Sequence, residues 1–108
     1  SDALRCIETI DLMARLIEKT PIFSADLSEY GYAKDREAPL DYVQDLMDRG
    51  ISAIVCGHNP IIPKVVQKLV GKKYFKSMHR ELEPAQAIVL HCRAGEVIAC
   101  DWIDEPII

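Results

Sequence analysis

The run Ile51 to Cys56, followed by Gly57-His58-Asn59-Pro60 and then a helical pattern, restricts the fold of this chain more than any other feature. A short run that is apolar almost throughout predicts a strand covered on both faces. A strand that leads straight into a helix is the repeating half-unit of an α/β sheet. Such sheets bind ligands in the crevice at the carboxyl ends of their strands. The helix runs to about Val70, with Ile62, Val65, Val66 and Leu69 as its apolar face. Pro60 and Pro63 fit only near its first turn, where a missing N–H costs nothing.

The other segments extend this pattern. Residues 3–18 predict a helix: Leu4, Ile7, Ile10, Ala14 and Ile17 recur at helical spacing, widened by Cys6, Met13 and Leu16. Ser1 or Asp2 can cap it and Pro21 ends it. Residues 24–38 lack periodicity and predict a long surface loop. Pro39 opens a further helix to about Arg49, with Leu40, Val43, Leu46 and Met47 inward and Gly50 as its stop. Residues 71–84 are a polar connection. Gln86 to Arg93 and Glu96 to Trp102 predict two strands joined by a hairpin at Ala94-Gly95. The order helix, loop, helix, strand, helix, strand, strand predicts one α/β domain, with helices on both faces of a sheet. A sheet of three strands makes a thin core, so the expectation is that this domain has further sequence upstream of Ser1.

Composition narrows the class of partners. Hydrophobic residues at 49% and charged residues at 28% describe a folded chain rather than a disordered one. With a net charge of −4 and no long basic stripe, nucleic acid is not an expected partner. Lys72, Lys73 and Lys76 read as a solvated loop. No apolar run approaches the roughly 18 residues of a membrane span. Cys6, Cys56, Cys92 and Cys100 form no CxxC pair and sit in apolar runs. Buried thiols in a reducing cytoplasm are therefore expected, without a disulfide framework, metal or cofactor.

The candidate chemistry centres on His58. An imidazole beside a helix N-terminus, with its free N–H groups and positive dipole end, suits an anion such as phosphate. Asn59 can cap that helix and contact the same ligand. A histidine that merely caps or packs is the bland alternative, and spacing does not separate the two. Arg5, in the first turn of helix 3–18, could hold phosphate oxygens bidentately or be an ordinary surface arginine.

These residues carry a resemblance. Ser1-Asp2-Ala3-Leu4-Arg5-Cys6-Ile7-Glu8-Thr9 resembles the Ser-x-x-x-Arg-x-x-x-Thr segment of the histidine phosphatase superfamily, and Val55-Cys56-Gly57-His58-Asn59-Pro60 resembles that family's second-histidine motif. Gly-His-Asn-Pro is its form in small phosphohistidine phosphatases. Cys56, Pro63, Leu82-Glu83-Pro84, Val89-Leu90-His91 and Val97-Ile98-Ala99 resemble the C-terminal phosphatase domain of two-domain MutT-type Nudix hydrolases. The resemblance implies a phosphoglycerate mutase-like three-layer fold lacking its first strand and helix. Residues 1–108 would then be the C-terminal two-thirds of one domain.

One departure matters. The family's nucleophile lies in an Arg-His-Gly segment, and none of His58, His79 and His91 follows an arginine. The resemblance implies that this segment lies upstream, or comes from a swapped chain. It further implies that the upstream histidine attacks phosphorus while Arg5 and His58 hold the phosphoryl oxygens. Leu27-Ser28-Glu29-Tyr30-Gly31 resembles the family's Leu-x-Glu segment, so Glu29 is the candidate acid, against the alternative of a solvated loop carboxylate. The implied substrate is a phosphorylated small molecule, a nucleotide polyphosphate or a phosphohistidine protein. The rival class is a non-catalytic module binding phosphate or nucleotide. His91 reads as a structural, partly buried histidine. Trp102 and Tyr74 read as packing residues, and Cys56 reads as core rather than nucleophile.

Overall fold

A computed structural model describes residues 4–59, 61–71 and 86–103, with the side chain of Arg5 outside that set. The elements are α1 (Leu4–Leu16), a single 3-10 turn (Ala25–Leu27), α2 (Glu29–Lys34), α3 (Ala38–Asp48), α4 (Ile61–Val70), β1 (Ala87–Arg93) and β2 (Glu96–Ile103). The fold class is mixed helices with an antiparallel two-stranded sheet. No helix among the described residues is long and apolar enough to cross a membrane.

The core lies where α4 crosses the hairpin. Val66 and Val70 are buried against Ile88 and Leu90 of β1 and against Val97, Cys100 and Trp102 of β2. Each buried aliphatic side chain of this kind contributes roughly 1.5–3 kcal/mol. Period-two alternation would place Ile98, not Val97, on the covered face with Cys100 and Trp102. The register resolves this: His91 pairs with Ala99 and Cys92 with Val97, so a bulge passes over Ile98, which is turned to solvent. Ala94 and Gly95 both take positive φ, 51° and 77°, as a two-residue primed turn requires. The turn is tied to α3, since Gln44 Nε2 donates to the Gly95 carbonyl at 3.0 Å and to Asp48 Oδ1 at 3.0 Å. Gly50, at φ 66°, is the left-handed stop after α3 that its position predicts.

Four expectations are corrected. Residues 24–38 are not a structureless loop but contain the 3-10 turn and α2. The organiser is Ser28, whose Oγ accepts from the Gly31 N–H at 2.9 Å and donates to the Ala25 carbonyl at 2.6 Å. One hydroxyl thus caps α2 and closes the preceding turn. Residues 51–58 have no regular secondary structure. A strand is held by its ladder and by burial. Among the described residues no strand runs beside this segment, and Ile51 and Ile54 are 41% and 61% exposed. Helix α1 buries a narrower stripe than its pattern predicts. Cys6 and Ala14 are buried and Ile7 and Ile10 half-buried, while Leu4, Met13, Leu16 and Ile17 are exposed. Cys92 is likewise exposed rather than buried. Residues 72–84 of the polar connection, with His79, Tyr74 and the three lysines, lie outside the described residues, as do Ser1, Asp2 and Pro60.

Candidate functional site

Three segments distant in sequence meet at His58. The first is the stretch after α3, which carries the imidazole to the start of α4. The His58 carbonyl accepts from the Ile62 N–H at 2.9 Å, so the helical hydrogen bonding opens at His58 itself. Ile61, 2% exposed, roots that turn in the interior. Asn59, expected as the cap, lies exposed in the turn that follows.

The second segment is α2. Because Ser28 caps it, Glu29 is its first residue rather than part of an irregular loop. A carboxylate in a helix's first turn is favoured by the dipole. The Glu29 side chain is 63% exposed, and its Oε1 lies 3.6 Å from His58 Nδ1. That distance exceeds a direct hydrogen bond but permits ion pairing when the ring is protonated.

The third segment is the first turn of α1. Cys6 Sγ lies 3.7 Å from His58 Nε2 and 3.6 Å from the Gly57 carbonyl. Arg5 is the next residue back on this turn, and its side chain lies outside the described residues.

His58 is therefore a buried imidazole, with 4% of its side chain exposed, and its two ring nitrogens face different groups. The ring stands between the start of α4, whose free N–H groups attract anions, and the Glu29 carboxylate. An anion at the start of α4 would be attracted by the dipole. Arrangements of this sort can hold an oxyanion and steady it as charge develops.

Cys6 is the member that the sequence pattern hid. Its place in an apolar stripe marked it as core, and only adjacency to Arg5 signalled anything more. The structure adds that Cys56 hydrogen-bonds with Cys6. Burial, reinforced by that neighbour, pushes the Cys56 thiol up to about 11. This agrees with reading Cys56 as core rather than nucleophile, because the thiolate is the reactive species. At pH 8 about one Cys56 in a thousand would be ionised. Iodoacetamide at that pH should label Cys56 on the order of a hundredfold more slowly than in the unfolded chain, with the rate climbing steeply above pH 10. Peptide mapping by mass spectrometry measures this. Labelling at the unfolded rate at pH 8 would contradict the burial argument.

The His91 side chain is half buried, and Nε2 meets Asp101 Oδ2 at 2.8 Å across the hairpin. The pair sits on the face of the sheet away from α4 and takes no part in the His58 cluster. Among the described residues no His, Cys, Asp and Glu group has the arrangement of a metal site. None of the four cysteines forms a disulfide. Compared with family models, curated proteins and solved structures, the chain gives no match.

Proposed function

We propose that this chain forms part of a phosphatase acting through a phosphohistidine intermediate, and that it supplies the phosphate-holding residues rather than the nucleophile. One observation carries the reading. A buried imidazole at a helix start is approached on one nitrogen by the Glu29 carboxylate and on the other by the residue next to Arg5. An isolated capping histidine would need neither. The proposed fold is the three-layer, phosphoglycerate mutase-like domain, completed by an upstream strand and helix. The exposed apolar side chains of α1 and of residues 51 and 54 supply a surface on which such elements would pack.

In this scheme the upstream histidine attacks phosphorus in line and the ester oxygen leaves with the bonding pair. Glu29, the candidate acid, gives that oxygen a proton. Arg5 and His58 hold the equatorial oxygens, where negative charge gathers. Water then displaces the histidine from phosphorus and releases inorganic phosphate. Asn59 is assigned to the same phosphate-holding group. The proposed substrate is a phosphomonoester, a phosphohistidine or a nucleotide polyphosphate, handled in the cytoplasm.

The test joins residues 1–108 to the natural upstream sequence and measures p-nitrophenyl phosphate hydrolysis. Residues 1–108 alone should show no turnover. The extended protein should be active, and His58→Gln or Arg5→Gln should each lower kcat by about 10²–10³-fold. An upstream sequence without Arg-His-Gly, or an extended protein that binds orthovanadate yet never turns over, would sink the catalytic assignment in favour of a binding module.

A further inference from the structure

Away from His58, a hollow of about 260 Å³ opens between α2, the start of α3 and α4. Neither Glu29 nor Cys6 nor His58 lines it. Its rim carries Arg36, Lys64 and Lys68, its wall is Tyr32, and Leu40 and Val65 supply the apolar lining. Val65 is 6% exposed, so this lining belongs to the buried side of α4.

The cations are arranged unusually for a chain of net charge −4. The Arg36 guanidinium and the Lys64 ammonium each lie 5.9 Å from the centroid of the same Tyr32 ring. Lys68 is engaged by Glu37 Oε1 at 3.1 Å. Among the described residues neither Arg36 nor Lys64 has a carboxylate within ion-pairing distance. A tyrosine face attracts a cation only modestly. Two cations gathered at one ring also repel each other, and Lys64 and Lys68 stand at like-charge i,i+4 spacing. An anion between Arg36 and Lys64 would relieve both repulsions, and a guanidinium suits oxyanion geometry. The apolar lining adds a preference that a bare ion cannot use, and the volume matches one small ring bearing one anionic group.

We propose that this hollow binds a small organic oxyanion, a phosphate or carboxylate carried on a flat apolar body. The anionic group sits between Arg36 and Lys64, and the body rests on Leu40 and Val65 beside Tyr32. The site is independent of the phosphatase reading.

Backbone amide NMR of the chain, titrated with phenyl phosphate, benzoate and inorganic phosphate at constant ionic strength, tests it. Phenyl phosphate and benzoate should give saturable shifts centred on residues 32–37 and 64–68. The tighter of the two identifies the anionic group, and both should bind at least about fivefold more tightly than inorganic phosphate. Arg36→Gln combined with Lys64→Gln, both surface changes, should weaken binding by at least about tenfold. Tyr32→Phe should retain it, because the ring face is kept. His58→Gln should leave it unchanged, so loss of the phosphatase reading and loss of this site are separable. Undiminished binding in the double variant, or inorganic phosphate binding as tightly as the aryl compounds, overturns the proposal.

Discussion

Replacing Gly31 with alanine is expected to destabilise the chain by about 1–3 kcal/mol, although alanine is the better helix former. Propensity alone predicts a gain of up to about 1 kcal/mol at a helix interior. Space decides the sign. A Cβ on Gly31 would overlap the carbonyl oxygen of Ala25, which is backbone and not the far end of a flexible side chain. That oxygen cannot retreat freely. It accepts the Ser28 N–H at 3.0 Å and the Ser28 hydroxyl at 2.6 Å, and the same hydroxyl caps α2. Relief of the clash would therefore open the 3-10 turn and the cap together. The consequence reaches the site, because the cap sets Glu29 as the first residue of α2, opposite His58. Urea unfolding gives the stability change, and the His58 ring resonances report whether Glu29 still approaches. A Gly31→Ala protein at least as stable as the parent, with those resonances unmoved, would show that α2 is not packed as described.

Ile61→Ala is expected to cost about 2–5 kcal/mol, and Ile61→Val only about 0.5–1.5 kcal/mol. Ile61 is among the most completely buried large side chains, at 2% exposure, and it stands at the first turn of α4. Truncation leaves a cavity directly below the backbone that presents His58. The amide of Ile62, bonded to the His58 carbonyl, should then exchange its hydrogen faster than amides in the second half of α4. Hydrogen exchange and chemical denaturation together check both parts. A cost under about 1 kcal/mol for the alanine variant would mean that the start of α4 is not anchored in the core.

Sequence reading was dependable where the signal is local. Pro39 and Gly50 bracket α3, Ala94-Gly95 makes the hairpin turn, and the apolar face of α4 is the face that packs. Each depends on backbone preferences or on a helical stripe contained in about ten residues. It failed where a segment's structure depends on partners elsewhere. Ile51 to Cys56 has the composition of a buried strand, yet a strand exists only alongside another strand. Residues 24–38 looked irregular because α2 is too short to show periodicity, and a serine cap rather than an apolar stripe defines it. The bulge at Ile98 also escaped, since alternation predicts the wrong residue inward once the register slips by one.

The candidate site divides in the same way. His58 at the head of a helix could be read from the order strand-like run, Gly-His-Asn-Pro, helical stripe, because the chain itself carries that arrangement. The sequence by itself thus determined the helices α1, α3 and α4, the hairpin, and the identity of His58 as the group to follow. Only the tertiary structure decided that Glu29 and Cys6 stand on either side of that imidazole, that His91 faces solvent against Asp101, and that Arg36 and Lys64 share one tyrosine ring. The physical reason is range. Turn and helix preferences act between residues a few positions apart. Charge, hydrogen bonding and burial act between whichever groups the folded chain brings within a few ångströms, here 29 and 52 positions apart in sequence for His58.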